Sequence, residues 1–268
     1  MIEAVGAAAS LSALAFSLRF HWWRPARRGV PILMYHQVGP HRTGSALNKW
    51  RVPGHAFRRQ VEWLARKGYR GISLRGLLEG ERPGPEKPVV ITFDDGFDGV
   101  RTVGLPILRE HGFLATVFVV AGRLGGIDDW NDERPGERLV DADGIRELAA
   151  GGLEIGSHGM NHRNLIGLDE ESLALETAGS RRVLEEVAGA PVRSFCYPFG
   201  GFDDRAAEAV RGAGYRAATV IRSVTYQYPK EYFSYRAHPI LRHCLLLRYR
   251  HQCGTPDRSG EDRKHHLL

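Results

Sequence analysis

The chain has 268 residues, of which 43% are hydrophobic and 25% are charged. This composition is typical of a folded globular protein with one large domain or two small ones. The formal net charge is +6, but no basic segment with interleaved aromatic residues is present, which argues against a nucleic-acid partner. The three cysteines are too few, and too irregularly spaced, for a disulfide framework or a cysteine zinc site.

The N-terminal segment is apolar and differs from the rest of the chain. Residues 4–18 carry no charge, and Trp22, Trp23 and several arginines follow them. Aromatic and basic residues at the end of an apolar run are typical of a membrane-interface anchor. The run is short for a span of about 20 residues and lacks the cleavage site of a signal peptide. We therefore expect residues 1–29 to associate with a membrane, with a helix packed on the domain as the alternative. The side of the membrane stays open, although the positive flank of a spanning segment would favour the cytoplasmic side.

From residue 30 onward, short apolar segments alternate with segments of helical periodicity. We predict strands at 31–35, 71–74, 89–93, 115–120, 153–157, 192–197 and 217–220, and helices at 55–67, 100–110, 143–150, 169–188 and 203–212. This alternation predicts an α/β fold, here a distorted or incomplete (β/α) barrel of about seven parallel strands. We expect the barrel domain to cover residues 30–250 and residues 251–268 to be a polar, disordered tail.

Polar or turn-forming residues follow the ends of several predicted strands. His36 follows the first strand, Asp94-Asp95-Gly96 the third, His158 the fifth and Pro198-Phe199-Gly200 the sixth. Active sites of parallel barrels lie at the face where all the strands end. Each feature alone could be a solvated turn or a structural histidine. Their coincidence at one rim predicts a catalytic or binding site.

The residue types at this rim suggest metal chemistry. Asp94 and Asp95 are neighbours, and neighbouring side chains of an extended chain point in opposite directions, so we expect them to have different roles. His158 and His162 are four residues apart, a spacing that places both imidazoles on one face of a helical turn. Two histidines and one carboxylate would bind Zn²⁺ or a similar cation and leave one position open for water. The other carboxylate could take a proton from that water as a general base.

These segments resemble the motifs of the polysaccharide deacetylases, also called the NodB-homology domain or carbohydrate esterase family four. Thr92-Phe93-Asp94-Asp95-Gly96 is similar to the first motif, and Ser157-His158-Gly159-Met160-Asn161-His162 to the second. Phe195-Cys196-Tyr197-Pro198-Phe199-Gly200 resembles a variant of the third. Ile32-Leu33-Met34-Tyr35-His36 resembles the N-terminal motif of the branch that deacetylates poly-N-acetylglucosamine, in which the barrel order is permuted. The resemblance covers roughly residues 30–250.

The resemblance implies a metal-dependent hydrolase that removes N-acetyl groups from an amino-sugar glycan, either a polysaccharide or a lipid-linked saccharide. Asp94 is then the catalytic base. The metal, most simply Zn²⁺, is held by Asp95, His158 and His162. The backbone N–H of Phe199 helps to stabilise the oxyanion, and His36 is the acid that protonates the leaving amine.

Two positions depart from the family pattern. Cys196 stands where the third motif usually has an arginine that pairs with the base, and Arg236 could supply that charge from elsewhere. The late leucine–histidine motif that usually supplies the acid is not evident, because the surroundings of His238 match it poorly. Trp130, in the loop after the fourth strand, could stack on a sugar or cap the edge of the domain.

Other functions use similar residues. A carbohydrate-binding protein that kept the fold and lost catalysis would explain Cys196, but it needs neither a base nor three metal ligands. Fe(II) oxygenases also use two histidines and one carboxylate, yet they usually have HxD close together on a strand. Here the aspartates come about sixty residues before the histidine pair. A serine hydrolase is disfavoured because the chain contains no GxSxG.

Overall fold

The structure is a computed structural model that describes residues 30–81, 84–131, 135–222 and 242–248. The strands of these residues are β1 (Ile32–Tyr35), β2 (Gln37–Val38), β3 (Arg51–Val52), β4 (Tyr69–Ile72), β5 (Lys87–Phe93), β6 (Thr116–Val119), β7 (Glu154–Ser157), β8 (Ser194–Cys196), β9 (Ala217–Arg222) and β10 (Arg242–Arg248). The α-helices are α1 (Gly54–Arg66), α2 (Leu74–Glu79), α3 (Leu105–Glu110), α4 (Ala142–Ala150), α5 (Glu170–Ala174), α6 (Ser180–Ala188) and α7 (Asp204–Gly212). The π-helical turns Val100–Gly104 and Leu175–Gly179 lead into α3 and α6.

The main sheet curls into a distorted (β/α) barrel, which confirms the predicted fold class. Strand β5 is parallel to β1, β4 and β6, and the parallel pairing continues through β7 and β8 to β9. Strand β10 is antiparallel to both β9 and β1, so the hydrogen-bonded order returns to β1. The seven predicted strands correspond to β1 and β4–β9, and the closing strand β10 was not predicted.

The two faces of the strands have different surroundings. Alternate residues such as Leu33, Ile91 and Val117 pack with the buried faces of the helices. The intervening residues, among them Met34 and Val90, form a second apolar cluster on the inner face of the barrel. Period-two alternation of this kind means that a residue two positions after an inward-facing one also faces inward. The inner face is therefore the one that carries side chains from several strands towards a common centre.

Most predicted helices are confirmed, with shifted ends. Helix α1 buries Phe57, Val61 and Leu64 along one face, and Asp141 caps α4 by accepting the N–H of Gly144 at 2.8 Å. The strand predicted for 71–74 ends at Ile72, because the Ser73 hydroxyl caps the start of α2. The long helix predicted for 169–188 is divided by the π-helical turn Leu175–Gly179.

Some predictions concern residues outside the described ranges. The N-terminal segment 1–29, the tail 251–268, Arg236 and His238 all lie there. Among the helices that the structure describes, none is both long enough and apolar enough to cross a bilayer.

Candidate metal centre and active site

Asp94 and Asp95 leave the end of β5 in different directions. Asp94 still belongs to the sheet, since its N–H donates to the carbonyl of Tyr35 at 2.9 Å, and it continues the inward alternation of Val90 and Thr92. Asp95 then takes a φ of +74°, and Gly96 a φ of +76°. This left-handed conformation is uncommon for a residue with a side chain. The chain therefore turns sharply at Asp95, and the two carboxylates meet different partners.

The carboxylate of Asp95 meets two histidines. Its Oδ1 lies 3.3 Å from Nε2 of His158 and 3.2 Å from Nε2 of His162. The two imidazole rings are 4.8 Å apart at an angle of 61°. All three side chains are buried, with 6% or less of each residue exposed. The structure thus brings together the three residues that were predicted to hold a metal.

The histidines converge for a reason different from the one predicted. Residues 158–162 do not form a helical turn. Gly159 has a φ of +82° and His162 a φ of +56°, so this segment is an irregular loop that folds back towards β5. The helical-turn explanation for the HxxxH spacing is therefore wrong, although the two imidazoles do meet.

Glu176, which the sequence analysis did not identify, holds this loop. Its carboxylate accepts the N–H of Met160 at 2.8 Å and the N–H of Asn161 at 3.0 Å, and it also accepts the side-chain amide of Asn161. Glu176 is fully buried in the π-helical turn Leu175–Gly179, and such turns are frequent at functional sites. The signal in the sequence was the position of Glu176, three residues after Leu173 and four before Ser180, which places its charge on one face of the predicted helix with these two residues. That face is buried in the structure.

The hydrogen bond of His158 sets its tautomer. Its Nδ1 lies 2.8 Å from the backbone oxygen of Cys196, and because a carbonyl oxygen only accepts, Nδ1 carries the hydrogen. In the neutral ring, Nε2 then presents a lone pair to the carboxylate of Asp95. Two acceptors this close require a proton or a cation between them. Metal-bound histidines commonly have this second hydrogen bond.

The donor set also has the spacing that a divalent cation requires. Zinc bonds of about 2.0–2.2 Å to nitrogen and oxygen place tetrahedral ligand atoms about 3.4 Å apart, close to the two distances from Asp95. Burial would raise the pKa of Asp95, but its hydrogen bonds with His158 and His162 outweigh burial and hold the pKa well below its usual value. The residues therefore fit a metal ion with an ionised carboxylate ligand.

Asp94 lies beside this set and has a different environment. Its Oδ2 is 3.6 Å from the thiol sulfur of Cys196, and within the described residues its Oδ1 has no hydrogen-bond partner. Only 1% of Asp94 is exposed. Burial raises the pKa of Asp94, and the nearby His36 and His158 partly oppose that rise. A buried carboxyl group with a raised pKa and one oxygen available suits proton transfer.

His36 faces the same centre from the end of β1. Its ring packs against Trp50, with the ring centroids 4.6 Å apart at an angle of 33°. Within the described part of the chain, its buried Nδ1 has no hydrogen-bond partner. The charge of His36 acts on Asp94, since it lowers the pKa of that carboxyl group against the effect of burial. His36 therefore belongs to the same site, with a ring packed against Trp50.

Two aromatic residues enclose His162. The ring centroid of Trp130 lies 4.3 Å from that of His162 at an angle of 32°, and the centroid of Phe199 lies 4.7 Å from it at an angle of 62°. Phe199 is 58% exposed and has a φ of +58° in the turn Pro198–Gly200. Trp130 thus belongs to the rim of the site.

A largely buried ion pair joins the start of β3, next to Trp50, to the loop that carries Trp130. Nε of Arg51, next to Trp50, donates to Oε1 of Glu137 at 2.8 Å. Gln37 donates to the other oxygen of Glu137 at 3.2 Å. Arg51 is only 3% exposed. Because Glu137 lies in the same loop as Trp130, the pair ties the His36 side of the site to the His162 side.

Comparison with known proteins gives consistent matches. The profile of the polysaccharide deacetylase family matches residues 81–218. The Bacillus subtilis protein YxkH, which carries the name polysaccharide deacetylase, is 28% identical over 196 residues, or 72% of this chain and 64% of that protein. The poly-β-1,6-N-acetyl-D-glucosamine N-deacetylase of Escherichia coli K12 is 34% identical over 116 residues, or 40% of this chain and 17% of that protein.

Solved structures show the same fold. IcaB from Ammonifex degensii superposes with a TM-score of 0.63 at 23% identity, covering 77% of this chain and 95% of that one. In sequence, this chain covers 64% of the YxkH protein and 17% of the Escherichia coli deacetylase, which is less than two thirds of the length of each.

Proposed function

Because this chain belongs to the polysaccharide deacetylase family, we propose that it hydrolyses N-acetyl groups of an amino-sugar glycan with a bound divalent metal ion. The observation that carries the proposal is the buried Asp95, His158 and His162 set beside the second carboxylate, Asp94. The Escherichia coli relative is named for a polymer of N-acetylglucosamine. We therefore take such a polysaccharide as the first substrate to test, with a lipid-linked saccharide as the second.

The metal would be held by Asp95, His158 and His162. We propose Zn²⁺, because two nitrogen ligands, one carboxylate and an open position are typical of catalytic zinc. When bound there, Zn²⁺ supplies Lewis-acid chemistry, polarising the acetyl carbonyl and lowering the pKa of a water molecule. Glu176 supports this role indirectly, since it holds the loop that carries both histidines.

Asp94 acts as the general base. Its available oxygen accepts the proton of the attacking water, and its buried position keeps solvent from competing for that proton. The pKa of Asp94, raised by burial, brings the carboxylate closer to the basicity that proton transfer near neutral pH requires. Cys196 contacts the other oxygen and restricts the carboxylate.

His36 acts as the general acid and donates a proton to the leaving amine. Packing against Trp50 holds its ring at the rim of the site. The backbone N–H of Phe199 helps to stabilise the oxyanion, as donors placed where charge develops do. The positive φ of Phe199 supports this assignment, because strained backbone is concentrated at functional sites.

Acetate release tests the proposal. The full-length chain, loaded with Zn²⁺ and given oligomers of N-acetylglucosamine, is expected to release acetate and form free amines. Asp94→Asn is expected to reduce the rate by at least about 100-fold, since an amide cannot accept the proton, while bound zinc is retained. No release from the zinc-loaded wild type, together with retained glycan binding, would favour the catalytically impaired carbohydrate-binding protein that Cys196 suggests.

We also propose that residues 1–29 attach the domain to a membrane, on the strength of the apolar run 4–18 and the tryptophans and arginines after it. Sedimentation with phospholipid vesicles tests this. The full-length chain is expected to pellet with vesicles, and a chain that lacks residues 1–29 is expected to stay in the supernatant. Equal partition of the two proteins would contradict a membrane role for this segment.

A further inference from the structure

A second set of metal-ligating atoms shares one histidine with the proposed catalytic site. Donor atoms of Asp94, His158 and Cys196 all lie within 4.8 Å of one another. All three residues are buried, and Cys196 is 0% exposed. They follow or end strands β5, β7 and β8 on the inner face of the barrel. The roles proposed for His158 and Asp94 account for two of the three, and nothing in the deacetylation chemistry requires a thiol here.

The distance between the sulfur and carboxylate ligand atoms of this second set suits a tetrahedral cation. Zinc bonds of about 2.3 Å to sulfur and about 2.1 Å to oxygen would place the two ligand atoms about 3.6 Å apart at the tetrahedral angle, and a larger thiophilic ion would place them somewhat further apart. The thiol sulfur of Cys196 and Oδ2 of Asp94 are 3.6 Å apart. In addition, the buried Oδ1 of Asp94 has no hydrogen-bond partner among the described residues. This carboxylate oxygen is therefore available to interact with a cation bound beside Cys196.

We propose that Asp94, His158 and Cys196 form a second, soft-metal site that binds a thiophilic divalent cation such as Cd²⁺. Soft thiolate ligands select such ions over those that prefer only nitrogen and oxygen. On binding, Cys196 releases its thiol proton to solvent and becomes a thiolate ligand. The thiolate and the Asp94 carboxylate together neutralise the two positive charges of the ion.

The two sites exclude each other because they share His158. Its Nδ1 is engaged with the Cys196 carbonyl oxygen, so only Nε2 is available, and one lone pair serves one cation. An ion in the soft site takes both the shared histidine and the carboxylate proposed as the base. Occupation of the soft site is therefore incompatible with the catalytic arrangement, and Cys196 makes this chain sensitive to thiophilic ions.

Cadmium titration tests this inference without substrate. The metal-free, full-length chain is titrated with Cd²⁺ while the ultraviolet charge-transfer band of a cadmium–thiolate bond is recorded. The band is expected to grow to one equivalent in the wild type and to be absent in Cys196→Ser. Pre-loading with Zn²⁺ is expected to raise the cadmium concentration required at least tenfold. Absence of the band in the wild type, or an equal band in Cys196→Ser, would overturn the proposal.

Two further variants separate the soft site from its neighbours. His162→Ala removes a ligand of the catalytic set only, so the band is expected to persist. A double variant, Cys244→Ser with Cys253→Ser, removes the other two thiols and is also expected to keep it. Loss of the band in either variant would contradict a site built from Asp94, His158 and Cys196. Because no turnover is measured, failure of the deacetylase proposal would leave these outcomes unchanged.

Discussion

Asp94 and Asp95 are adjacent in sequence, but their surroundings shift their pKa values in opposite directions. Burial raises the pKa of Asp94. For Asp95 burial acts in the same sense, but hydrogen bonds with His158 and His162 outweigh it and lower the pKa. Carboxyl groups whose pKa values are pushed apart commonly divide base and ligand or acid roles. The residue-level electrostatics therefore support Asp95 as the ligand and Asp94 as the base.

The rate of hydrolysis is predicted to depend on His36 only for substrates whose leaving group must be protonated. His36→Ala is expected to slow acetate release from N-acetylglucosamine oligomers by about 100-fold or more, a typical contribution of general acid catalysis. Hydrolysis of an aryl acetate ester should change less than about threefold, because a phenolate leaves without protonation. Steady-state rates with the two substrates make the comparison. Equal losses on both substrates would mean that His36 supports the site in some other way.

The buried carboxyl of Glu154, at the start of β7, is expected to make stability depend on pH. It accepts hydrogen bonds from Ser194, Thr116 and the backbone N–H of Arg75, yet burial dominates and raises its pKa. Folding therefore shifts the balance of this carboxyl group towards its neutral form. Its contribution to stability is fully present below the unfolded pKa of about 4.3. The contribution is lost as the pH rises through the folded pKa.

Glu154→Gln removes this titration. As the pH is raised from about 4 to about 8, the free energy of unfolding of the wild type is expected to decrease relative to that of the variant. Denaturant unfolding of both proteins at the two pH values measures the difference. Glu186→Gln, on the exposed face of α6, serves as the control and should show no such trend. A difference between wild type and Glu154→Gln that does not vary with pH would contradict the raised pKa.

At the scale of elements, the loop after β7 depends on the π-helical turn Leu175–Gly179. Glu176→Ala leaves the N–H groups of Met160 and Asn161 without their acceptor. A fully buried donor left unsatisfied costs about 1–3 kcal/mol, and these two donors are partly buried. We expect a loss of stability of a few kcal/mol and a zinc affinity that is at least tenfold weaker, measured by denaturant unfolding and zinc titration. Glu186→Ala, on the following helix, is the control, and equal affinities in the two variants would refute the supporting role of Glu176.

The elements that could be predicted from sequence are those with local signals. Strand β5 was predicted from its run of β-branched and aromatic residues, and the start of α4 from the cap Asp141. Strand β10 was missed, because its pairing with β9 and β1 joins segments far apart in the chain. The contact of Glu176 with the loop 158–162 likewise joins two elements that are separate in the chain, so no local pattern predicts it. The HxxxH motif pointed to two histidines that the structure brings together at Asp95, while the helical geometry assumed for the motif did not apply.

The whole molecule brings its strand ends together, and metal binding is expected to stabilise that arrangement. Asp95 follows β5, while His158 and His162 follow β7, so one cation would join separate parts of the barrel. Zinc at about 100 times its dissociation constant would add about 2.7 kcal/mol to the free energy of unfolding. For a domain of this size, that corresponds to a rise in Tm of about 5–10 °C.

Thermal unfolding with zinc and with a chelator measures this stabilisation. Asp94→Asn keeps all three proposed ligands and should show the same rise in Tm as the wild type. His162→Ala should show less than half of it. A rise in Tm that is equal in His162→Ala and the wild type would place the stabilising ion elsewhere in the chain.

The most direct test is a zinc titration of the metal-free, full-length chain in which bound zinc and acetate release are measured on the same samples. The proposed site predicts that activity is absent without metal. Activity should then rise in proportion to bound zinc and level off at one equivalent, and His162→Ala should show neither tight binding nor activity. Acetate release that persists in the metal-free protein, or that follows zinc equally well in His162→Ala, would contradict a catalytic metal held by Asp95, His158 and His162.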